Sequence, residues 1–303
     1  MARVVVTGGA GFLGRHIVRA LSEAGVEVCV LDRLPPRDAF PPGVEVVAGN
    51  VAERDVVERT LCGADAVVHL ACTTVPQTSE DNRLHDLRSN VEPALTLLDC
   101  AAAAGARRFV FASSGGTIYG NPIRTPIGED HPTRPANSHG AMKLAVEGYL
   151  WSCANLTGLE TYALRMSNAY GPGQTAAKPQ GFIGVLARMV RSGKPVEIWG
   201  DGSVVRDFVF VEDVARAFVQ CLAGSAPPGP YNIGSGLGHS LREVVALAEK
   251  VLGASIPVHF LPSRRIDVPS NVLDVSRART LLGWEAQTPL EEGLRKTLIP
   301  TAG

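Results

Sequence analysis

The stretch Arg3–Gly14, RVVVTGGAGFLG, decides the fold of this chain. A short β-branched strand runs directly into a glycine-rich turn, which opens an apolar helical pattern. The glycines satisfy G-x-G-x-x-G at Gly9, Gly11 and Gly14, and also G-x-x-G-x-x-G when counted from Gly8. Such a turn lets the backbone approach a pyrophosphate closely, and the N-terminus of the following helix stabilises its negative charge.

Further strand patterns alternate with longer helical patterns downstream. The strand segments are VEVCVLD, VEVVAGN, AVVHLA and RFVFASS. Alternation of this kind is typical of right-handed βαβ units, which build a parallel sheet covered by helices on both faces. The sequence therefore predicts an α/β protein with a doubly wound parallel sheet, the Rossmann fold.

The residue pattern changes after Tyr170. The segment GPGQTAAKPQG indicates an irregular loop, which is followed by a helical pattern near Phe182–Ser192. We predict a dinucleotide-binding domain over residues 1–170 and a smaller C-terminal substrate lobe over residues 171–303. Segments within about 204–235 have strand or helix patterns that are suited to a return to the main sheet.

Asp32 ends the second strand, 18 residues after Gly14. A carboxylate at this position accepts hydrogen bonds from the adenosine ribose hydroxyls and repels a 2'-phosphate, which favours NAD over NADP. The neighbouring Arg33 argues the other way, because a guanidinium can pair with that phosphate.

Composition excludes several other classes of function. The chain has 303 residues, with 29 Lys+Arg against 30 Asp+Glu and a formal net charge of -1, so binding to nucleic acid or to an anionic membrane is not favoured. The apolar run at the N-terminus is short and ends at glycines. It therefore resembles neither a signal peptide nor a membrane span, and we expect a cytoplasmic protein. No C-x-x-C pair occurs among the six cysteines, which indicates reduced, buried thiols and no metal site.

Several longer blocks resemble the extended short-chain dehydrogenase/reductase family. They are TGGAGFLG, HLA (His69–Ala71), SSGGTIYG (Ser113–Gly120), GAMKLAVE, LRMSNAYGPGQ (Leu164–Gln174), WGDGSVVRDFVFVEDVA (Trp199–Ala215) and RRIDVPSNVLD (Arg264–Asp274). Within that family the chain is most similar to UDP-glucose 4-epimerases and related UDP-sugar epimerases, over nearly its whole length.

The resemblance implies a set of ligand contacts. Those for the cofactor fall on Gly8, Gly11, Phe12, Leu13, Asp32, Asn50, Val51, Leu70, Ala71, Asn90 and Lys143. Those for the nucleotide sugar fall on Asn168, Trp199, Arg206, Arg264 and Asp267, with Asn271 at a position where epimerases vary side-chain bulk near the sugar. A homodimer built through helices near Pro93–Gly105 and Ala141–Ala154 is also expected, with ordinary core helices as the alternative interpretation of both apolar segments.

The segment NSHGAMKLAVE, Asn137–Glu147, resembles the Y-x-x-x-K element of these epimerases, but His139 stands in the place of the tyrosine. The family removes a hydride from C4 of the sugar while a base takes the hydroxyl proton, forms a 4-keto sugar, and returns the hydride to the other face. Lys143 fits the lysine that tunes the base and orients the nicotinamide ribose.

A hydroxyl that relays the proton is harder to assign. The family position for it falls on Gly115. We expect the adjacent Ser114 and the nearby Thr117 to supply a hydroxyl instead, although either side chain could simply cap backbone groups at the end of a strand.

The chemistry of imidazole permits His139 to act as the base. Its unperturbed pKa of about 6.5 leaves it largely neutral at pH 7, whereas a phenol, near 10, must first be depressed. Imidazole is shorter than a phenol, however, so the path to the sugar needs a water molecule or Thr117. A packed histidine at a helix start is the alternative interpretation. Tyr119 and Tyr149 are nearby phenols, but neither has a lysine four residues later.

The leading hypothesis is NAD-dependent epimerisation at C4 of a UDP-sugar, with glucose/galactose, N-acetyl or uronate forms as candidates. The second hypothesis is another oxidation-initiated reaction on a nucleotide sugar, such as dehydration, decarboxylation or net reduction of a keto sugar. Dehydration is disfavoured because Gly116 and Thr117 occupy the place of the Asp-Glu pair found in the dehydratases. A catalytically impaired protein that binds NAD and a nucleotide sugar is the third.

Overall fold

Strands and helices alternate along the protein from Arg3 onwards. The computed structural model describes residues 2–34, 38–174, 181–263 and 268–299. The strands are β1 (Arg3–Thr7), β2 (Glu27–Asp32), β3 (Glu45–Ala48), β4 (Ala66–His69), β5 (Arg108–Ser114), β6 (Glu160–Met166), β7 (Asn168–Tyr170), β8 (Val196–Trp199), β9 (Val205–Phe210), β10 (Gly229–Ile233), β11 (Gly238–Ser240), β12 (Val258–Leu261) and β13 (Ser270–Asn271). The helices are α1 (Phe12–Glu23), α2 (Arg54–Thr60), α3 (Pro76–Asp81), α4 (Arg83–Asp86), α5 (Glu92–Ala103), α6 (Ser138–Thr157), α7 (Phe182–Ser192), α8 (Val211–Ala223), α9 (Leu241–Leu252) and α10 (Leu290–Leu298). Short π-helical turns lie at Leu87–Val91 and Ala278–Leu282.

Seven strands of the described residues form one parallel sheet, in the order β10-β6-β5-β4-β1-β2-β3. The inner strands are apolar along their length: Val4, Val5 and Val6 in β1 and Val67 and Val68 in β4 are all buried. Continuous apolar strands are required where helices cover both faces of a parallel sheet. The predicted doubly wound α/β fold is confirmed.

The order of the strands reverses between β1 and β4. The chain moves outward from β1 to β2 and β3, and then returns across β1 to place β4 on its other side. The two strand ends stay in register, with Thr7 opposite His69 and the Thr7 Oγ1 atom 2.7 Å from His69 Nδ1. A parallel sheet opens a ligand-binding crevice at such a reversal, beyond the carboxyl ends of the strands.

Helices cover each face of the sheet with a separate apolar cluster. On one face Ile17 and Leu21 of α1 and Phe218 of α8 are buried together. On the other face the cluster includes Leu97 of α5 and Met142 of α6. Helix α6 therefore lies against the sheet, with its N-terminal end directed towards the crevice side of β5.

A smaller lobe carries a third apolar cluster, to which α7, α9 and α10 contribute. Strand β9 is its centre, since β11 and β13 flank it and β7 pairs with it as well. The buried carboxylate of Asp207 in β9 accepts hydrogen bonds from Ser167 Oγ at 3.2 Å, from the amide and hydroxyl of Ser235 at 2.8 Å each, and from the amides of Gly236 and Leu273 at 3.2 and 3.3 Å. One side chain thus connects the segments that follow β6, β10 and β13.

Segment 204–235 contributes to both parts of the fold. Strand β10 joins the edge of the main sheet beside β6 and α8 packs against α1, whereas β9 stays in the small sheet. The exact division into two domains stays a prediction. Among the helices of the described ranges, none has the length and apolar character that a bilayer crossing requires.

Candidate active site

The glycine turn after β1 is shaped by close backbone approach. Gly8 has a left-handed φ of 74°, and a Cβ there would lie 2.7 Å from the amide nitrogen of Ala71. A Cβ on Gly14 would overlap the Gly8 carbonyl oxygen. No side chain caps α1, whose N-cap residue is Gly11. The turn therefore presents open backbone N–H groups at a helix N-terminus, which suits a pyrophosphate.

Asp32 lies beside this turn at the end of β2. Its carboxylate accepts hydrogen bonds from the amide of Ala10 at 3.0 Å and from the amide of Leu34 at 3.2 Å. Each carboxylate oxygen can accept a further bond, so the side chain can still bind ribose hydroxyls. Arg33 and Asn50 line the same cavity.

Two cavities meet at the glycine turn and form one elongated cleft. The cavity at the Asp32 end has a volume of about 280 Å³, and the one towards α6 about 380 Å³. Both are lined by Gly8, Gly11, Leu70 and Cys72. The predicted cofactor and catalytic residues that line this cleft are Gly8, Gly11, Phe12, Leu13, Asp32, Arg33, Asn50, Val51, Leu70, Ala71, Asn90, Ser114, Thr117, His139 and Lys143. Residues far apart in sequence thus meet along a path that fits an extended dinucleotide.

The start of α6 brings His139 and Lys143 to the cleft. Asn137 caps the helix by accepting a hydrogen bond from the amide of Gly140 at 2.9 Å. Gly140 permits close packing, since a Cβ there would lie 2.5 Å from the carbonyl oxygen of Thr117. Lys143 is buried, and its Nζ donates to the carbonyl of Ala112 at 2.7 Å. This bond holds the ammonium group beside the end of β5.

His139 is only 5% exposed, and burial is the main reason that its pKa falls to about 4. The positive charge of Lys143 lowers the pKa further, while the negative charge of Asp86 acts in the opposite direction. The imidazole is therefore neutral at physiological pH and can accept a proton. Its Nδ1 atom is buried and has no hydrogen-bond partner among the described residues.

Two hydroxyl groups on the strand-end loop line the same cavity as this imidazole. Ser114 and Thr117 both line the cleft, and Thr117 Oγ1 is buried without a partner among the described residues. Gly115 itself has no room for a side chain: a Cβ would lie 2.6 Å from Cδ1 of Leu273 and 2.9 Å from the carbonyl oxygen of Arg165. A hydroxyl for proton relay must therefore come from a neighbour of Gly115.

The predicted sugar contacts are more dispersed. Asn168 lines the cleft and donates from Nδ2 to the Asp207 carbonyl at 2.9 Å. Asn271 is buried and donates to the carbonyl of Gly115 at 3.2 Å, while its Oδ1 has no partner among the described residues. Arg206 lies beside Asn271 in the register of β9 and β13 and donates to the carbonyl of Val268 at 2.7 Å.

Trp199 does not reach the cleft that holds His139. It lines a different surface cavity of about 740 Å³, together with Arg242 and Phe260. Arg264 and Asp267, which were predicted to bind the nucleotide, lie outside the described residues. The structure thus brings the predicted cofactor and catalytic residues together, but it gathers the sugar-binding set only in part.

A buried polar cluster around Asn90 was not predicted. Asn90 Nδ2 donates to Thr74 Oγ1 and to Asp86 Oδ1, both at 2.9 Å, and its Oδ1 accepts from the amide of Thr73 at 2.8 Å. The sequence signal was the polar pair Thr73-Thr74, separated from the HLA segment only by Cys72, together with an aspartate one helical turn before Asn90.

A second unpredicted group surrounds Glu147, one turn after Lys143. Glu147 forms a buried ion pair with Arg165 at 2.7 Å and accepts a hydrogen bond from Ser113. Arg165 also donates to the hydroxyl of Tyr119 at 3.0 Å. Since these residues lie on α6, β5 and β6, no local sequence pattern could reveal the group. It attaches α6 to the end of β5.

Among the described residues, no group of three or more metal-ligating side chains could hold a metal ion. Three of the cysteines, Cys29, Cys100 and Cys221, are buried. Cys62 is exposed, so the expectation of buried thiols was wrong at that position.

Comparisons with known proteins agree with this geometry. Residues 4–234 match the model of the NAD dependent epimerase/dehydratase family. A UDP-glucose 4-epimerase of Mycolicibacterium smegmatis is 34% identical, over 98% of this chain and 97% of that protein. The crystal structure of UDP-glucose 4-epimerase from Thermotoga maritima with UDP-glucose superimposes with a TM-score of 0.92 at 32% identity, covering 98% of this chain and 97% of that one. The UDP-glucose 4-epimerase of Thermus thermophilus in complex with NAD gives a TM-score of 0.90 at 35% identity, covering 98% of this chain and 97% of that one.

Proposed function

Because the chain belongs to the NAD dependent epimerase/dehydratase family, we propose that it inverts the configuration at C4 of a UDP-sugar through a 4-keto sugar, with NAD as its cofactor. The observation that carries the proposal is the single cleft that leads from the glycine turn to His139 and Lys143. The similar proteins from Mycolicibacterium smegmatis and Thermotoga maritima are named UDP-glucose 4-epimerases, which supports this choice of reaction.

The residues of the cleft fit NAD. The turn between Gly8 and Gly14 gives a pyrophosphate access to backbone N–H groups, and Asp32 offers carboxylate oxygens to a ribose. The chemistry that a bound nicotinamide supplies is reversible hydride acceptance at sugar C4. Asp32 would repel a 2'-phosphate, which supports NAD over NADP despite the neighbouring Arg33.

Proton transfer falls to the residues of this chain. The neutral imidazole of His139 accepts the proton of the C4 hydroxyl as the carbonyl forms, and it returns that proton when the carbonyl is reduced from the opposite face. Lys143, fixed by the Ala112 carbonyl, places its charge beside the base and keeps it from holding the proton too strongly. Thr117 or Ser114 bridges the distance that the shorter ring leaves open.

The sugar and the nucleotide contact the smaller lobe in this proposal. Asn168 lines the cleft beside the catalytic residues. Asn271 donates to the Gly115 carbonyl and keeps a buried Oδ1 atom without a partner among the described residues, which supports a role beside the sugar, although Asn271 is not among the residues that line the cleft. The roles of Trp199, Arg206, Arg264 and Asp267 stay predictions.

The proposal is tested by incubating the purified protein with UDP-glucose, UDP-galactose, their N-acetyl analogues and UDP-glucuronate, and following the configuration at C4 by NMR. We expect one pair to interconvert, and we expect Lys143→Met to abolish the reaction. Binding of NAD and a UDP-sugar without turnover of any of these compounds would contradict the proposal and favour a ligand-binding protein.

His139→Tyr tests how the site uses its histidine. If the pocket is built around imidazole, the phenol should lower the rate. A rise in rate would mean that histidine impairs an otherwise ordinary tyrosine site.

We also propose that the protein forms a homodimer through α5 and α6. The outer face of α6 exposes Tyr149 by 50% and Trp151 by 69%. Such side chains are costly to leave in water and are common at protein interfaces. Light scattering of the wild type should give twice the mass of one chain. The Trp151→Glu variant should have the mass of a monomer. A monomeric wild type would refute the proposed homodimer. A cytoplasmic location stays a prediction.

A further inference from the structure

Asp86 is a buried carboxylate that the reaction outlined above does not use. It is 2% exposed and ends α4, directly before the π-helical turn Leu87–Val91. Turns of this kind occur frequently at functional sites. Its Oδ1 accepts hydrogen bonds from Thr74 Oγ1 and from Asn90 Nδ2. Its other oxygen, Oδ2, accepts no hydrogen bond from the described residues.

His139 has a buried polar atom that lacks a hydrogen-bond partner among the described residues. Helix α4 and the π-helical turn both pack against α6, which brings Asp86 close enough to act on the imidazole. The Nδ1 atom of His139 is buried without a partner among the described residues. A buried N–H without an acceptor is costly, so Nδ1 needs an acceptor if it carries the proton. A carboxylate oxygen of Asp86, reached through a water molecule, would supply one.

The other charged groups near His139 already have hydrogen-bond or ion-pair partners. Lys143 donates to the Ala112 carbonyl, and Glu147 pairs with Arg165. Glu80 of α3 accepts the amide and hydroxyl of Ser138 and pairs with Arg83. Asp86 is close enough for its charge to raise the pKa of His139 against the effect of burial. It is therefore the carboxylate best suited to orient the ring.

We propose that Asp86 is a positioning residue, which holds His139 in its Nδ1–H tautomer through a water-mediated hydrogen bond between Nδ1 and Oδ2. The Nε2 lone pair then faces the cleft, ready for the proton of a sugar hydroxyl. Carboxylates orient imidazole bases and metal-binding histidines in this way in other proteins. The inference rests on the proposed function, because it assumes that His139 is the base. It also gives a reason for a histidine at this position, since a phenol has no second nitrogen for Asp86 to orient.

The first test needs no variant. Nitrogen NMR of the full-length, NAD-loaded protein, labelled at histidine, should show His139 as the Nδ1–H tautomer at pH 7. An Nε2–H tautomer in the wild type would overturn the inference. Because this measurement does not require turnover, it tests the tautomer of His139 even if the proposed epimerisation fails.

The second test uses Asp86→Asn. The amide oxygen can still accept from Thr74 and Asn90, while the open Oδ2 is replaced by an N–H group, which cannot accept the hydrogen bond of the bridging water, so the acceptor that favours Nδ1–H is lost. We expect the tautomer to change to Nε2–H and kcat to fall by about 10²-fold or more, with KM nearly unchanged. An unchanged tautomer in the variant would overturn the inference.

A double-mutant cycle separates positioning from simple loss of structure. In a His139→Tyr background, Asp86→Asn should change kcat by less than about 3-fold, because the ring that Asp86 orients is gone. Equal losses in both backgrounds would mean a purely structural role and would refute the inference. Ser79→Ala, which alters the same polar cluster at Thr74, should leave the His139 tautomer unchanged.

Discussion

The low pKa of His139 predicts a specific loss of stability in acid. In the unfolded chain its imidazole binds a proton below about pH 6.5, whereas in the folded protein it stays neutral until about pH 4. The unfolded state therefore binds more protons between these values, and stability falls as the pH falls through this window. Lowering the pH from 7 to 5 should cost the native state about 2 kcal/mol through His139 alone, and the loss should level off below about pH 4.

Urea unfolding of the wild type and of His139→Gln at pH 7, 6 and 5 measures this contribution. Other groups, including the buried His69 with its pKa near 3, titrate in both proteins and cancel in the difference. The variant should lose about 2 kcal/mol less than the wild type between pH 7 and pH 5. His259→Gln, at an exposed position, controls for the loss of an imidazole. Equal losses in wild type and His139→Gln would refute the view that the buried ring is neutral, and with it the view that a free base is available at neutral pH.

Three further outcomes are expected. Gly14→Ala should weaken NAD binding by at least about 10-fold in a fluorescence titration, because its Cβ would overlap the Gly8 carbonyl; Gly148→Ala in α6, where a Cβ meets no atom within 4 Å, should leave the affinity unchanged. Asp32→Ala should reduce affinity for NAD and raise the ratio of NADP to NAD affinity; an unchanged ratio would contradict the proposed ribose contact. Asp207→Ala should lower the free energy of unfolding in urea by about 3 kcal/mol or more, since five hydrogen bonds to a buried carboxylate are lost; a loss below about 1 kcal/mol would contradict its structural role.

Local patterns in the sequence were sufficient for the fold. The glycine turn and the apolar period after it predicted α1, and the helix expected at Phe182–Ser192 is α7. The contacts of Asp86 were beyond prediction, because they depend on how α4 packs against α6, and Asp86 lies 53 positions before His139. Trp199 lines a cavity separate from the one that holds His139, and its predicted contact with the nucleotide sugar stays a prediction. Periodicity reports which face of an element is buried, but it does not report which buried groups meet.

The replacement of tyrosine by His139 is best understood together with Gly115. The family position for a relay hydroxyl falls on Gly115, and there a side chain would collide with Leu273 and with the carbonyl of Arg165. A serine could not be restored at that position without moving the Leu273 side chain and the backbone of Arg165 at the end of β6, so Gly115 is fixed by the packing. The buried hydroxyl of Thr117 and the imidazole of His139 both have unsatisfied polar atoms in the same cleft. The site thus differs from the tyrosine pattern at the base and at the relay position together, and a single His139→Tyr change would restore only one of the two, so we expect it to lower the rate of an imidazole-based site instead of raising it.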